Sequence, residues 1–266
     1  MLKKLYKHEF YLLFRSLLPI YAALGLFAVV CKISSLIQFD NAIYEGIMGF
    51  STVFYIISIL AMFVVGMVII VVRFYKNLLS HEGYLTFSLP FTATQHILCK
   101  LICAVTMMLL NGIAVILSLI IVGLGSEIMD SILEILPLMF KELFGGYSVA
   151  RITLFFVQIV VMIIISVFQS VLMFYTAMAI GQQFRNKIGG SVVAYIGLYI
   201  ATETFSTVSI LPIIYIYGDS LTNKLNSGNI MAIQGVLLYA MALSVILGLV
   251  YFFITRHFIS KKLNLE

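Results

Sequence analysis

The chain has 266 residues, 62% hydrophobic and only 10% charged, with a formal net charge of +5. A soluble domain runs at roughly 45–50% apolar and about 25% charged, so this chain has too little charge to cover a globular surface in water. The composition excludes a water-soluble domain, and with it a nucleic-acid-binding reading of the net positive charge; lipid is its main solvent.

The predicted elements are helical throughout. Leu2, Leu5, Tyr6, Phe10, Leu13 and Leu17 recur at helical spacing, opposite Lys3, Lys4, Lys7 and His8. This pattern predicts a basic amphipathic helix over 1–17, lying in the membrane interface. A first span follows over 19–37, with Pro19 accepted in its first turn. The second span covers 50–72. Residues 73–95, RFYKNLLSHEGYLTFSLPFTATQ, carry charge and the punctuating Gly83 and Pro90, so they lie outside the bilayer core. A third span covers 96–123. Within 125–147 an amphipathic piece sets Ile128, Met129, Ile132, Leu133 and Leu136 against Glu127, Asp130 and Glu134, with Pro137 and Gly145-Gly146 as its stops. Spans four, five and six are expected over 152–180, 191–210 and 232–255. Pro212, Gly218 and the polar run 219–229 are expected to break the chain between the last two.

Six spans place both termini on one side. Assigning the N-terminus, 73–100, 181–190 and the C-terminus to the cytoplasm collects 12 of the 16 basic residues there. The opposite loops keep Lys32, Lys141, Arg151 and Lys224 against seven acids. By the positive-inside rule both ends are cytoplasmic and the protein is multi-pass in the plasma membrane. No loop is long enough for a separate soluble domain, so 1–266 reads as one all-α polytopic membrane domain.

Few residues invite chemistry. The three cysteines, Cys31, Cys99 and Cys103, make no disulfide framework, and Cys99 and Cys103 read as small buried hydrophobes rather than metal ligands. His81-Glu82 is followed by Leu85 where the H-E-x-x-H zinc motif needs histidine, so no metal site is expected. His8, His81, His96 and His257 fall at cytoplasmic ends and read as interfacial polar residues. No GxxxxGK[ST] phosphate loop is present, so the chain cannot hydrolyse ATP in the P-loop manner. Glu203 stands well inside a predicted span, among Thr202, Thr204, Ser206, Thr207 and Ser209. A charge at mid-bilayer costs about 2.5–3.5 kcal/mol on insertion scales, so such residues usually face protein or a water-filled path. Two readings stay open: a polar lining for a translocation route (Thr202, Glu203, Thr204, Ser206, Thr207), or a hydrogen-bonded glutamate joining helices.

The segment 73–101 carries a family signal. Glu82-Gly83, Leu89-Pro90 and Cys99-Lys100-Leu101 stand in that order before and into the third span. In this pattern, and in its interface helix, six spans and cytoplasmic termini, the chain resembles the permease subunits of type-2 ABC exporters. Cys99 stands where that family often has glycine. The resemblance implies a non-catalytic permease subunit, with residues 73–95 forming a cytoplasmic coupling loop. In that loop Glu82, Gly83, Tyr84, Leu85 and Phe87 would dock on a separate ABC ATPase subunit. ATP and Mg would bind that ATPase, and this chain would bind no cofactor. A second permease chain, identical or a sister, would complete the pathway, lined by the first, second and fifth spans. Alternatives are an immunity complex that expels a membrane-active peptide, and a secondary transporter not driven by ATP. An intramembrane protease would need paired glutamates and histidines, and only Glu203 is available.

Overall fold

The computed structural model describes residues 2–36, 42–79, 92–226 and 230–261. These form α1 (Leu2–Leu36), α2 (Ala42–Phe74), a π-helical turn (Tyr75–Leu79), α3 (Ala93–Gly123), α4 (Glu127–Phe144), α5 (Val149–Gly181), α6 (Lys187–Asn226) and α7 (Ile230–Lys261). All of these helices except α4 are long and apolar enough to cross a membrane, six in number among the described residues, and no strand occurs among them. Their large apolar side chains point outward: Phe50, Phe54, Leu60 and Val64 of α2 are all exposed. An apolar surface of this extent is tolerated in lipid and not in water. This is a multi-pass membrane protein.

The helices run past the apolar stretches that mark the spans. A bilayer core needs about 20 residues, whereas α1 has 35, α2 has 33 and α6 has 40. Three expectations are corrected on this account. The interface helix over 1–17 and the span over 19–37 are one continuous helix, with Pro19 inside it. Its buried stripe, Leu13, Leu17, Leu24, Ala28 and Cys31, passes Pro19 without interruption, so Leu13 and Leu17 pack in protein instead of lying on acyl chains. Pro137 does not stop α4, which continues to Phe144 and ends at Gly145-Gly146. Pro212 and Gly218 do not break the chain either; α6 carries on to Asn226. Proline removes one N–H and bends a helix, but membrane helices tolerate it where neighbours satisfy the freed carbonyl.

The chain forms two compact units, the first from Met1–Arg73 and Ile102–Phe140 and the second from Phe74–Leu101 and Lys141–Glu266. In the first, Leu24, Ala28 and Cys31 of α1 pack with Tyr55 and Met62 of α2 and Val115 of α3. Polar pairs cross this core. Tyr55 Oη and Ser118 Oγ share a 2.9 Å hydrogen bond, and Tyr21 Oη donates to Asn111 Oδ1 at 2.6 Å. A methyl group at Gly66 would lie 2.5 Å from Asn111 Nδ2, so the missing Cβ is what lets α2 approach α3 there. At one end of the unit Glu9 and Arg73 form an ion pair at 3.0 Å. All three cysteines are buried and none forms a disulfide.

In the second unit α5 packs against both α6 and α7. Phe174 stacks on Tyr195 at 4.5 Å, and Thr176 Oγ1 meets Thr255 Oγ1 at 2.9 Å with both side chains fully buried. Gln158 Nε2 donates to the Gln234 carbonyl at 2.9 Å. Hydrogen bonds between membrane helices average only about 0.6 kcal/mol each, so close packing carries most of the cohesion and these bonds fix its register.

Candidate functional site

The residues proposed to carry coupling, Glu82, Gly83, Tyr84, Leu85 and Phe87, lie outside the described residues, as do His81, Leu89 and Pro90. Both stems of their loop are described. The descending stem is the π-helical turn Tyr75–Leu79, and its Leu78 and Leu79 are buried. A π turn adds a residue to the helical register and is frequent at functional sites. The ascending stem opens α3, where Thr92 caps the helix by accepting from the Gln95 backbone N–H at 3.4 Å. Ile97, Cys99, Lys100 and Leu101 are buried along it, and so is His96, which sequence alone placed at the membrane interface.

One side chain holds both stems. Tyr175 of α5 stacks its ring on Phe74, centroids 3.7 Å apart and planes 9° apart, and its hydroxyl donates to the Lys100 carbonyl at 3.4 Å. Tyr175 thus ties both stems to α5, which packs on both α6 and α7. Nothing in the sequence marks this residue; it is one tyrosine in an apolar helix, about a hundred positions from Phe74. Tyr175→Phe keeps the stacked ring and loses the long hydrogen bond to the Lys100 carbonyl, so a change of about 1 kcal/mol is expected. Tyr175→Ala removes the ring and leaves a cavity, a loss of about 3–5 kcal/mol, read as earlier thermal loss of monodisperse protein in detergent.

The hydroxyl-rich segment of α6 divides between two faces. Thr202 Oγ1 hydrogen-bonds the Tyr251 hydroxyl of α7, and Ser209 Oγ bonds the Tyr239 hydroxyl at 2.6 Å. Ser206 lies on the same side and is half-buried. Thr202 and Ser209 join the helices here, not Glu203 as the second sequence reading had it. Glu203, Thr204 and Thr207 are exposed on the other side, with the apolar Ile196, Ile200 and Val208. Thr204 turns its hydroxyl back to the Ile200 carbonyl at 2.6 Å, and Thr207 to the Glu203 carbonyl at 2.9 Å. The Glu203 carboxylate makes no hydrogen bond or ion pair among the described residues. An acidic side chain thus stands on the outside of a membrane-crossing helix.

An opening in this unit is apolar. A groove of about 380 Å³ runs along Leu101, Ile165, Phe168, Leu172, Val245 and Phe252, with Gln169 and Ser244 as its polar lining. Among the described residues no three His, Cys, Asp or Glu side chains come together as a metal site. Compared with known protein families, curated proteins and solved structures, the chain matches none.

Proposed function

We propose that this chain is the membrane-spanning permease subunit of an ATP-driven exporter of the type-2 ABC class, working with a second permease chain and a separate P-loop ATPase. The observation that carries the reading is Glu203. Its carboxylate is exposed within the apolar part of α6 and has no partner among the described residues. Against lipid it would cost about 2.5–3.5 kcal/mol, a cost removed when a second chain or a water-filled route covers that face. Thr204 and Thr207 extend the polar strip, and Thr202 and Ser209 brace the helix from behind.

The mechanism that fits is alternating access. Closure of the ATPase dimer pushes the segment from Glu82 to Phe87, and the clamped stems pass the displacement through Tyr175 to α5. Helices α6 and α7, packed on α5, then change the opening of the Glu203 face. ATP and Mg belong to the partner's chemistry, and this chain supplies the route and the lever. The basic ends support a topology with both termini in the cytoplasm, and this reading has the chain in the plasma membrane.

The test is recovery of the ATPase with the tagged permease after gentle extraction. Glu82→Arg reverses a charge, and Tyr84→Ala removes an aromatic anchor of the kind that dominates interface energies at 2 kcal/mol or more, roughly 30-fold or more in affinity. Each is expected to lose the ATPase while the permease still elutes as folded protein. Retention of the ATPase by both variants would take the docking site away from this loop.

A further inference from the structure

The geometry points to α4 as a helix lying in the membrane interface on the side opposite the two termini, its apolar face seated in the boundary between headgroups and acyl chains. At 3.6 residues per turn, Ile128, Ile132, Leu133, Ile135, Leu136, Met139, Phe140, Leu143 and their neighbours fill an arc of roughly 200°. Glu127, Asp130, Ser131, Glu134, Lys141 and Glu142 share the remaining arc, and Leu138 is the one apolar residue among them. The middle of the apolar face is open, with Leu133, Leu136 and Met139 62%, 56% and 54% exposed, while at its end the Phe144 ring lies 5.8 Å from Phe155 and Phe156. In water such a surface would seek a cover.

Width and tethering decide what covers it. A helix–helix seam uses a stripe far narrower than this arc, whereas partial immersion in an acyl layer wets a broad face. The tethers are short. Residues 124–126 join α4 to the membrane-crossing α3, and 145–148 join it to the membrane-crossing α5. Lys32 Nζ of α1 donates to the Leu124 carbonyl, which fixes the first tether at the end of the spans. Gly125, at φ 70°, turns the chain, and Ser126 Oγ caps α4 by accepting from the Met129 N–H at 3.3 Å. The helix cannot leave the membrane surface, and five charged side chains keep it from crossing. This inference needs only that the six long apolar helices cross the membrane, so it stands apart from what drives transport.

The sequence contains no tryptophan, so a single introduced indole reports alone. Ile132→Trp, Leu136→Trp and Met139→Trp, in the full chain in liposomes, are expected to emit at shorter wavelength than Asp130→Trp and Glu134→Trp. Lipids brominated along the acyl chain should quench the first three several-fold more than the last two, and acrylamide should do the reverse. The exposed positions make these substitutions compatible with folding, checked by monodisperse elution. Strong acrylamide quenching at all five sites would place α4 in water and overturn the inference. Short-wavelength emission at position 136 resisting both quenchers would mean protein, such as a second copy, covers the face, and would overturn it equally.

Discussion

Glu203→Gln is expected to cut export by roughly tenfold to a hundredfold, the equivalent of one charge-assisted hydrogen bond worth about 1.5–3 kcal/mol. The yield and elution of the folded protein should not change. Glutamine keeps the length of the side chain and removes only the charge. Since the carboxylate bonds nothing among the described residues, no contact of the fold depends on it, and an exposed substitution of this kind shifts stability by about 0.5 kcal/mol or less. The measurement is transport in proteoliposomes that hold the permease with its ATPase, compared at equal protein. Unchanged transport would remove Glu203 from the route. A loss of folded protein with no change in specific transport would assign it to assembly.

Gly181→Ala is expected to destabilise the packing of α5 on α6. Gly181 ends α5, is buried, and faces the start of α6 across a tight turn. A methyl group there would stand 2.6 Å from both the backbone nitrogen and the Cα of Ser191, besides meeting its hydroxyl. Backbone cannot swing aside as a side-chain tip can, so α5 and α6 would have to separate. Overpacking costs typically about 1–3 kcal/mol, and contact with a helix backbone belongs at the upper end. Ser191→Ala removes the hydroxyl but not the backbone contact, so it should not rescue the variant. Thermal stability of the detergent-solubilised protein, followed by the fraction eluting as a sharp peak, tests both statements.

The six membrane crossings are legible because lipid imposes a simple demand, about 20 apolar residues per helix, and each run meets it. The helix ends are less legible. Backbone hydrogen bonding continues past the apolar window into residues such as Lys187 and Asn226, where polarity alone suggests a loop. Pro19, Pro137 and Pro212 all lie inside helices. Each removes one donor and bends the axis, a local penalty of about 3 kcal/mol that a long, packed helix absorbs. From sequence, the same prolines look like boundaries.

The candidate site divides in a similar way. The hydroxyl cluster around Glu203 stands out because such residues are rare in a span. Helical periodicity separates 202, 206 and 209 from 203, 204 and 207, but it does not say which group faces the protein. Tyr239 and Tyr251, on another helix, decide that. The stems of the proposed coupling loop show the same limit. Residues 75–79 look helical by local pattern, yet their anchor is Tyr175, which no local pattern connects to Phe74. The Glu9–Arg73 ion pair likewise joins positions 64 apart and follows only from packing.

A separate ATPase is proposed to drive this chain through its loop between α2 and α3. The most direct measurement is to tag the chain, extract it in a mild detergent, and identify what leaves the membrane with it. The expected result is a P-loop ATPase in amounts comparable to the permease, with ATP hydrolysis in the purified complex. A permease that comes out folded but without any ATPase, under conditions where other ABC complexes survive, would contradict the account, the more firmly if an ion gradient alone drives its transport.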